Sequence, residues 1–164
     1  MYIASLALGG CIRFEPVPYG ITEDTGGHIR YILGEMTALS LRDDVKKAEI
    51  ITRRFDDPDL GRVHDLREER LTDKLSIRRI DSGDRRYLAK EDLFADRDAF
   101  TRALAVDLLM RDRRPDLIHA HFADAAGVAA EIEKLLGIPF IYTPHSLGRD
   151  KLATLTGEVP EELT

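Results

Sequence analysis

The sequence predicts a doubly wound α/β domain, in which a mostly parallel sheet carries helices on both faces. Short apolar runs, each as long as a buried strand, alternate with longer segments whose apolar residues recur at helical spacing. Polar residues and glycines collect directly after the apolar runs, and in sheets of this class ligands bind beyond the carboxyl ends of the strands. These two observations indicate the fold class and the edge of the sheet where we expect a site.

The first half of the chain predicts two strands with a helix between them. Residues 2–8 form an apolar run typical of a buried parallel strand, and a long loop with prolines follows it. Helical spacing begins at Gly27 and continues to residue 41, and residues 47–52 form the second strand. Residues 55–70 are polar and predict an excursion from the core.

The second half of the chain predicts three strands and two helices. Residues 75–80 alternate between apolar and polar and so predict a half-exposed strand. Residues 93–110 have helical spacing, and Pro115 ends that helix. The remaining predicted elements are a strand over residues 116–121, a helix over 125–136 with Gly137 as its C-cap, and a strand over 139–143.

The composition narrows the function classes. The chain has 164 residues, of which 43% are hydrophobic, and its formal net charge of −6 argues against a nucleic-acid or anionic-membrane surface. The single cysteine, Cys11, excludes an intrachain disulfide and a multi-cysteine zinc site. Because no apolar run is long enough to span a bilayer and the N-terminus is not signal-like, we expect a cytoplasmic protein.

A glycine pair lies where the first loop meets the first helix. A helix N-terminus presents unpaired N–H groups and a partial positive charge, so it can hold an anion. Gly26 and Gly27 would let a ligand approach the backbone without a Cβ in the way. The alternative is a tight turn in which Asp24 or Thr25 caps the helix.

Two histidines lie on one face of the predicted strand 116–121, because strand side chains repeat every two residues. His119 and His121 could form a metal pair with Asp124 and His145 as further ligands, which would make a metal-dependent hydrolase. No cluster of carboxylates in the sequence supports such a site, and we therefore expect no metal. The other interpretation makes His121 a hydrogen-bond partner of a sugar or phosphate, with Asp124 as the cap of the next helix.

Basic residues and a further histidine follow other predicted elements. His145 lies just past the last strand, where it can meet a ligand. Arg149 and Lys151 add positive charge that suits a phosphate, although Lys151 alone is also typical of a solvated loop. Lys90 lies after two arginines in a turn-rich loop and could bind phosphate or remain solvated; spacing does not decide between the two.

Four motifs in this order resemble those of sucrose-phosphate synthases. They are Asp-Thr-Gly-Gly-His-Ile-Arg-Tyr at 24–31, Tyr-Leu-Ala-Lys-Glu-Asp-Leu at 87–93, His-Ala-His-Phe-Ala-Asp-Ala at 119–125 and Thr-Pro-His-Ser-Leu-Gly-Arg-Asp-Lys at 143–151. Over nearly its whole length the chain resembles the N-terminal half of these retaining GT-B glycosyltransferases and of the related sucrose and mannosylfructose-phosphate synthases. The resemblance implies a Rossmann-like domain that mostly holds the acceptor, with a UDP- or GDP-sugar in the crevice between two such domains.

The resemblance also implies roles for individual residues. Gly26 and Gly27 would face the donor diphosphate and the acceptor, and Lys90 and His121 would contact acceptor hydroxyls or the acceptor phosphate. His145 would touch the donor sugar near the reacting centre. The implied catalytic residues are thus His145 and His121, and the implied substrate-binding residues are Gly26, Gly27, His28, Lys90, Arg149 and Lys151.

The chain departs from the family pattern at two positions. His28 stands where the family usually has Gln, and that side chain is expected to read the acceptor. Pro144 stands where the family has Gly, and it fixes φ directly before His145.

The resemblance further implies a second domain with a nucleotide pocket, and nothing in residues 1–164 corresponds to it. We therefore expect residues 1–164 to be the N-terminal Rossmann-like domain, inactive alone and working with a C-terminal domain that a separate chain could supply. The expected function is the acceptor-binding half of a retaining transferase that moves a hexose from UDP-glucose or GDP-mannose to a sugar or sugar phosphate, without a cofactor. The alternatives are a non-catalytic sugar-phosphate-binding module and the metal-dependent hydrolase using His119 and His121.

Overall fold

The structure is a computed structural model that describes residues 1–146, and within them it contains six strands and three α-helices. The strands are β1 (Tyr2–Leu6), β2 (Lys47–Arg53), β3 (Glu68–Arg70), β4 (Leu75–Ile80), β5 (Leu117–His121) and β6 (Phe140–Thr143). The helices are α1 (Gly27–Ser40), α2 (Leu93–Leu109) and α3 (Phe122–Leu136), and a 3₁₀ turn covers Arg62–Asp65. None of these helices is both long enough and apolar enough to cross a bilayer.

The six strands form one sheet in the order β3-β4-β2-β1-β5-β6. Every neighbouring pair is parallel except β3 and β4, which run antiparallel. The chain builds outward from β1 to β2 and β4 on one side, and then returns to β5 and β6 on the other. The order therefore reverses between β1 and β5, and in such sheets the crevice at this reversal is the ligand site. The predicted α/β class and mostly parallel, Rossmann-like sheet are confirmed.

The core has two layers, one on each face of the sheet. On one face α1 and the loop before it cover apolar side chains of β1, β2 and β4. On the other face α2 and α3 cover the alternate side chains of β1, β2 and β5. Because Ile3 belongs to the first layer, Ser5, two residues further along β1, lies on the same face under α1. The same alternation places His119 and His121 of β5 under α1.

Two features of the region between β2 and α2 differ from the sequence prediction. The strand β4 was expected to be half exposed, but every residue except Arg78 is buried, because β4 pairs on both sides with β2 and β3. The polar excursion 55–70 contains the short edge strand β3, which the sequence did not predict. Its three residues are charged, so it has no apolar alternation to reveal it.

Of the helix caps predicted from the sequence, the C-cap of α3 is confirmed and the N-caps of α1 and α3 are wrong. Gly137 has φ 70° and closes α3 in the left-handed conformation, as predicted. Neither Asp24 nor Thr25 caps α1, since Gly26 occupies the N-cap position without a side-chain hydrogen bond. The Thr25 hydroxyl instead accepts a hydrogen bond from the Cys11 amide at 3.0 Å. Asp124 is also not a cap, because α3 begins two residues earlier, at Phe122.

Candidate functional site

Four histidines gather at the carboxyl edge of the sheet, beside the reversal of strand order. His119 and His121 end β5, His145 follows β6, and His28 begins α1. The rings of His121 and His145 stack with centroids 5.1 Å apart, and His28 lies 6.5 Å from His145. The Tyr31 ring, one turn along α1, meets His145 edge-on at 5.3 Å. The structure thus brings together three histidines from the predicted site, His28, His121 and His145.

His121 is completely buried and connects the sheet to His145. Its Nε2 lies 2.9 Å from Ser5 Oγ, and its Nδ1 lies 2.9 Å from Nε2 of His145. Burial, and then the neighbouring His119, His145 and His28, lower the pKa of His121 to about 3. The ring is therefore neutral at neutral pH, with one nitrogen a donor and the other an acceptor. Because no surface of His121 is exposed, it can act on a ligand in this conformation only through His145.

His145 is the exposed member of this pair. Its backbone has φ 54°, a left-handed conformation that a non-glycine residue adopts at a cost of order 1 kcal/mol. Burial, followed by the nearby His119 and Lys90, lowers the pKa of His145, so its imidazole is also neutral at neutral pH. A neutral imidazole in this position can donate a hydrogen bond to a sugar hydroxyl or accept one from it.

The glycine loop encloses a pocket of about 210 Å³. A Cβ added at Gly26 or Gly27 would meet nothing within 4 Å, whereas a Cβ at Gly10 would lie 2.5 Å from the Asp24 carbonyl oxygen. Gly10, with φ 83°, is therefore required by the fold, but the fold does not require Gly26 or Gly27. Their missing side chains leave room for a ligand. The pocket is lined by Gly9, Glu23, Asp24, Gly26, Gly27, His28, Lys90, Leu93, Phe122 and Asp124.

Lys90 reaches this pocket from the loop before α2. Its ammonium lies 3.9 Å from the centre of the Phe122 ring, a cation–π contact. Its backbone amide donates to Asp24 at 2.8 Å, and the Tyr87 hydroxyl donates to the same carboxylate at 3.3 Å. Asp24, expected from the sequence to be a possible helix cap, instead fastens the Lys90 loop to the glycine loop.

Two residues with functional placement were missed from the sequence. Phe122, at the first position of α3 with φ 70°, contacts the rings of His28 and His145 at 5.0 and 4.8 Å. Glu35 on α1 lies 3.1 Å from His119 Nδ1 and 3.8 Å from His121 Nε2. Glu35 is separated from both histidines by more than 80 positions, so no local motif links them. Glu35 lies four residues after Tyr31 and therefore on the same face of α1, and this spacing was the signal in the sequence that could have placed Glu35 near the site.

Arg53, at the end of β2, forms a buried ion pair with Asp96 of α2 at 2.6 Å and is structural. Arg149 and Lys151 lie outside the described residues 1–146. A larger groove of about 710 Å³ lies between β4 and α2 and contains none of the clustered histidines.

The fold is that of an α/β domain whose candidate ligand site lies at the switch point of the sheet. Residues 26–160 match the family described as Glycosyl transferase 4-like domain, and the chain belongs to this family. It is 30% identical over 182 aligned residues to a probable sucrose-phosphate synthase 4 of Oryza sativa subsp. japonica, and 29% identical over 180 to the sucrose-phosphate synthase of Zea mays. Each alignment covers 94% of this chain and 17% of the relative, so the chain spans about a sixth of their length.

A solved structure has the same fold. The sucrose-phosphate synthase from Thermosynechococcus elongatus superposes with a TM-score of 0.72 at 21% identity, over 99% of this chain and 36% of the other. The strands and helices described above thus have the Rossmann-like arrangement of a GT-B fold, and the family match identifies the chain as a glycosyl transferase 4-like domain.

Proposed function

We propose that this chain is the acceptor-binding domain of a retaining glycosyltransferase, which moves a hexose from a nucleotide sugar to a sugar or sugar phosphate. The observation that carries the proposal is the pocket in which an unobstructed glycine pair, Lys90 and His28 meet, beside the exposed His145. A lysine at a glycine-rich helix N-terminus is suited to a phosphate or phosphate ester. The similarity to sucrose-phosphate synthases supports the same chemistry.

The proposed donor is UDP-glucose or GDP-mannose, bound between this domain and a second, nucleotide-binding domain. Support for a second domain comes from the relatives, of whose length this chain covers 17%. The proposed domain division, the requirement for that second domain and the inactivity of this chain alone stay predictions. The cytoplasmic location also stays a prediction of the sequence.

Each site residue has a proposed role. The Gly26 and Gly27 backbone amides face the phosphate groups, and Lys90 neutralises the acceptor phosphate. His28 contacts the acceptor at the same pocket. His145 hydrogen-bonds a hydroxyl of the donor sugar near the reacting carbon, and His121 holds His145 in place through the 2.9 Å contact between their rings. Arg149 and Lys151 are predicted to extend the phosphate-binding side.

The reaction would proceed by attack of the acceptor hydroxyl on C1 of the donor sugar. The C1–O bond to the nucleoside diphosphate breaks, the new bond forms on the same face, and the proton of the acceptor hydroxyl passes to an oxygen of the leaving diphosphate. Orientation of the two substrates and stabilisation of the leaving diphosphate by N–H groups would supply most of the rate enhancement. The neutral state of His145 suits hydrogen bonding to sugar hydroxyls better than stabilisation of negative charge.

Calorimetry on the full chain tests the proposal with four ligands: fructose 6-phosphate, fructose, inorganic phosphate and UDP-glucose. We expect fructose 6-phosphate to bind, and Lys90→Ala to weaken it at least about tenfold because a charge-assisted hydrogen bond is lost. Lys134→Ala is the matched control, since Lys134 is exposed on α3, where it pairs with Glu131, and does not line the pocket. If none of the four ligands binds, the proposal is wrong. If Lys90→Ala binds fructose 6-phosphate as tightly as the wild type, Lys90 does not contact this ligand.

A second candidate is a non-catalytic sugar-phosphate-binding module, because the 210 Å³ pocket forms within this domain. It predicts the same calorimetric result. The two separate when the chain is joined to a nucleotide-sugar-binding domain: a transferase then releases UDP from UDP-glucose in the presence of acceptor, and a module does not. The family assignment favours transfer over the hydrolase that His119 and His121 first suggested.

A further inference from the structure

A carboxylate and two imidazoles converge beneath His145, in the space between α1 and β5. Glu35 Oε1 lies 3.1 Å from Nδ1 of His119, and Glu35 Oε2 lies 3.8 Å from Nε2 of His121. The three groups each offer one ligand atom, and these atoms all lie within 4.8 Å of one another. His119 and His121 are buried, and Glu35 is one-quarter exposed.

The remaining nitrogen of each histidine is held by a hydrogen-bond partner. Nε2 of His119 lies 2.7 Å from Thr143 Oγ1, and Nδ1 of His121 lies 2.9 Å from Nε2 of His145. Metal-binding histidines in proteins have this arrangement, in which the outer nitrogen donates to an acceptor and thereby fixes the nitrogen that faces the metal. With the hydrogens on these outer nitrogens, both rings can direct a lone pair to a cation beside Glu35 without losing their outer contacts.

Glu35 itself is incompletely satisfied. Its Oε2 atom is buried and has no hydrogen-bond partner among the described residues. A buried carboxylate oxygen without a partner is costly, and in native proteins it calls for a bound proton, water or cation.

We propose that Glu35, His119 and His121 bind a divalent cation of the zinc class. Two imidazole nitrogens and one carboxylate oxygen are the ligand set that zinc favours, with bonds near 2.0–2.1 Å and therefore ligand atoms about 3.3 Å apart in a tetrahedral site. With one atom from each residue, the ligand atoms lie within 4.8 Å of one another, so a tetrahedral site draws them together by up to about 1.5 Å. Ser5 Oγ, 2.9 Å from His121 Nε2, must also release that nitrogen. The fourth position is left for Ser5 Oγ or water.

This assignment revises the expectation from the sequence that no metal binds. The sequence offered Asp124 and His145 as the further ligands, whereas the structure places Glu35 there and leaves His145 on the outer nitrogen of His121. The cation would join α1 to β5. It would also fix the hydrogen of His121 on Nδ1, so that His121 donates to His145 and the hydrogen of His145 lies on its own Nδ1. The proposal does not depend on which sugar binds.

Metal titration of the full chain tests the site. The tag-free chain is treated with a chelator and then titrated with Co²⁺, followed by visible absorption, and with Zn²⁺, followed by calorimetry. We expect one cation per chain and a tetrahedral cobalt spectrum. Glu35→Gln keeps the size of the side chain and should weaken Zn²⁺ binding at least tenfold. Glu131→Gln, an exposed carboxylate on α3, is the matched control and should leave binding unchanged.

Two further measurements distinguish a specific metal site from adventitious metal binding and from misfolding of the variant. Zn²⁺ should raise the melting temperature of the wild-type chain but not of Glu35→Gln, whose circular dichroism should match the wild type. Imidazole ¹⁵N NMR should show His121 bound through Nε2. Absence of stoichiometric binding overturns the proposal, as does equal affinity in Glu35→Gln. Sugar-phosphate binding is measured separately, so failure of one proposal leaves the other standing.

Discussion

Nδ1 of the buried His121 lies 2.9 Å from Nε2 of the exposed His145, and this contact links the interior of the sheet to the edge of the candidate site. The pair spans two neighbouring parallel strands, β5 and β6, whose carboxyl ends lie side by side. His145 needs this support because its left-handed backbone, φ 54°, is not one that the residue adopts readily alone. The buried His121 thus holds the exposed imidazole of His145 in position.

Substitution of two glycines in the N-terminal region by alanine should affect different properties of the protein. Gly10→Ala places a Cβ 2.5 Å from the Asp24 carbonyl oxygen at φ 83°, and we expect it to lower the free energy of unfolding by about 2 kcal/mol or more. Gly27→Ala meets nothing within 4 Å and should leave stability within about 1 kcal/mol of wild type, yet weaken fructose 6-phosphate binding about tenfold. Urea unfolding and calorimetry measure the two effects. Normal ligand binding by Gly27→Ala would contradict a ligand-facing role for the glycine.

The buried Arg53–Asp96 pair should be essential for stability. The two side chains are 2% and 6% exposed, and Arg53 also donates to the carbonyl oxygens of Asp84 and Arg86 in the loop before Lys90. Asp96→Ala leaves the guanidinium buried and unpaired, and we expect a loss of about 3–5 kcal/mol in chemical denaturation. Asp98→Ala, an exposed position on the same helix, is the control and should change stability by less than about 0.5 kcal/mol. A small effect of Asp96→Ala would show that the pair is not buried in solution.

Acid should destabilise the protein through His64. Burial, and then the charges of Arg79 and Arg13, lower the pKa of His64 from its ordinary value of 6.5 to about 4, with Asp57 acting in the opposite direction. Between pH 6.5 and pH 4 the unfolded chain binds this proton and the folded chain does not, so stability falls as the pH falls, by up to about 3 kcal/mol from this residue.

The His64 contribution can be isolated from that of the carboxylates. The ring stacks on Phe55 with centroids 4.6 Å apart, so His64→Phe can keep the stack without a titrating group. Urea unfolding of both proteins at pH 7 and pH 5 should show a smaller loss of stability for His64→Phe. Equal losses in the two proteins would place the pH dependence elsewhere.

His28→Gln should change acceptor preference without changing the fold. His28 contacts the Gly9 carbonyl oxygen at 3.3 Å and the edge of the Phe122 ring, and it lines the candidate pocket. The resemblance described in the sequence analysis implies Gln at this position. We therefore expect His28→Gln to bind fructose 6-phosphate about three- to tenfold more tightly, a difference of about 1 kcal/mol. Calorimetry with a panel of sugar phosphates measures it; an unchanged ranking of the panel would mean that His28 does not read the acceptor.

The sequence was most informative where pattern and packing agree. The predicted strands at 47–52 and 116–121 are buried and parallel, within one residue of their predicted ends. A strand covered on both faces is rich in apolar residues, and its buried polar residues, such as Glu49 and His121, have polar partners. The same logic failed for β4, whose alternating residues indicated exposure. Arg79 of that strand is buried all the same, because Glu69 of β3 accepts its hydrogen bond at 2.6 Å. Strand burial depended on a neighbour that no local pattern revealed.

The sequence by itself determined the α/β class, the family and the edge of the sheet that carries the site, because periodicity and motif order are local properties of the chain. Only the tertiary structure decided which of the polar residues meet. In the structure Glu35 lies beside His119 and His121, and Arg53 is buried against Asp96. The Asp24 carboxylate accepts a hydrogen bond from the Lys90 amide. These pairings depend on where the helices cross the sheet, and residues 43 to 86 positions apart in sequence carry no local signal of that crossing.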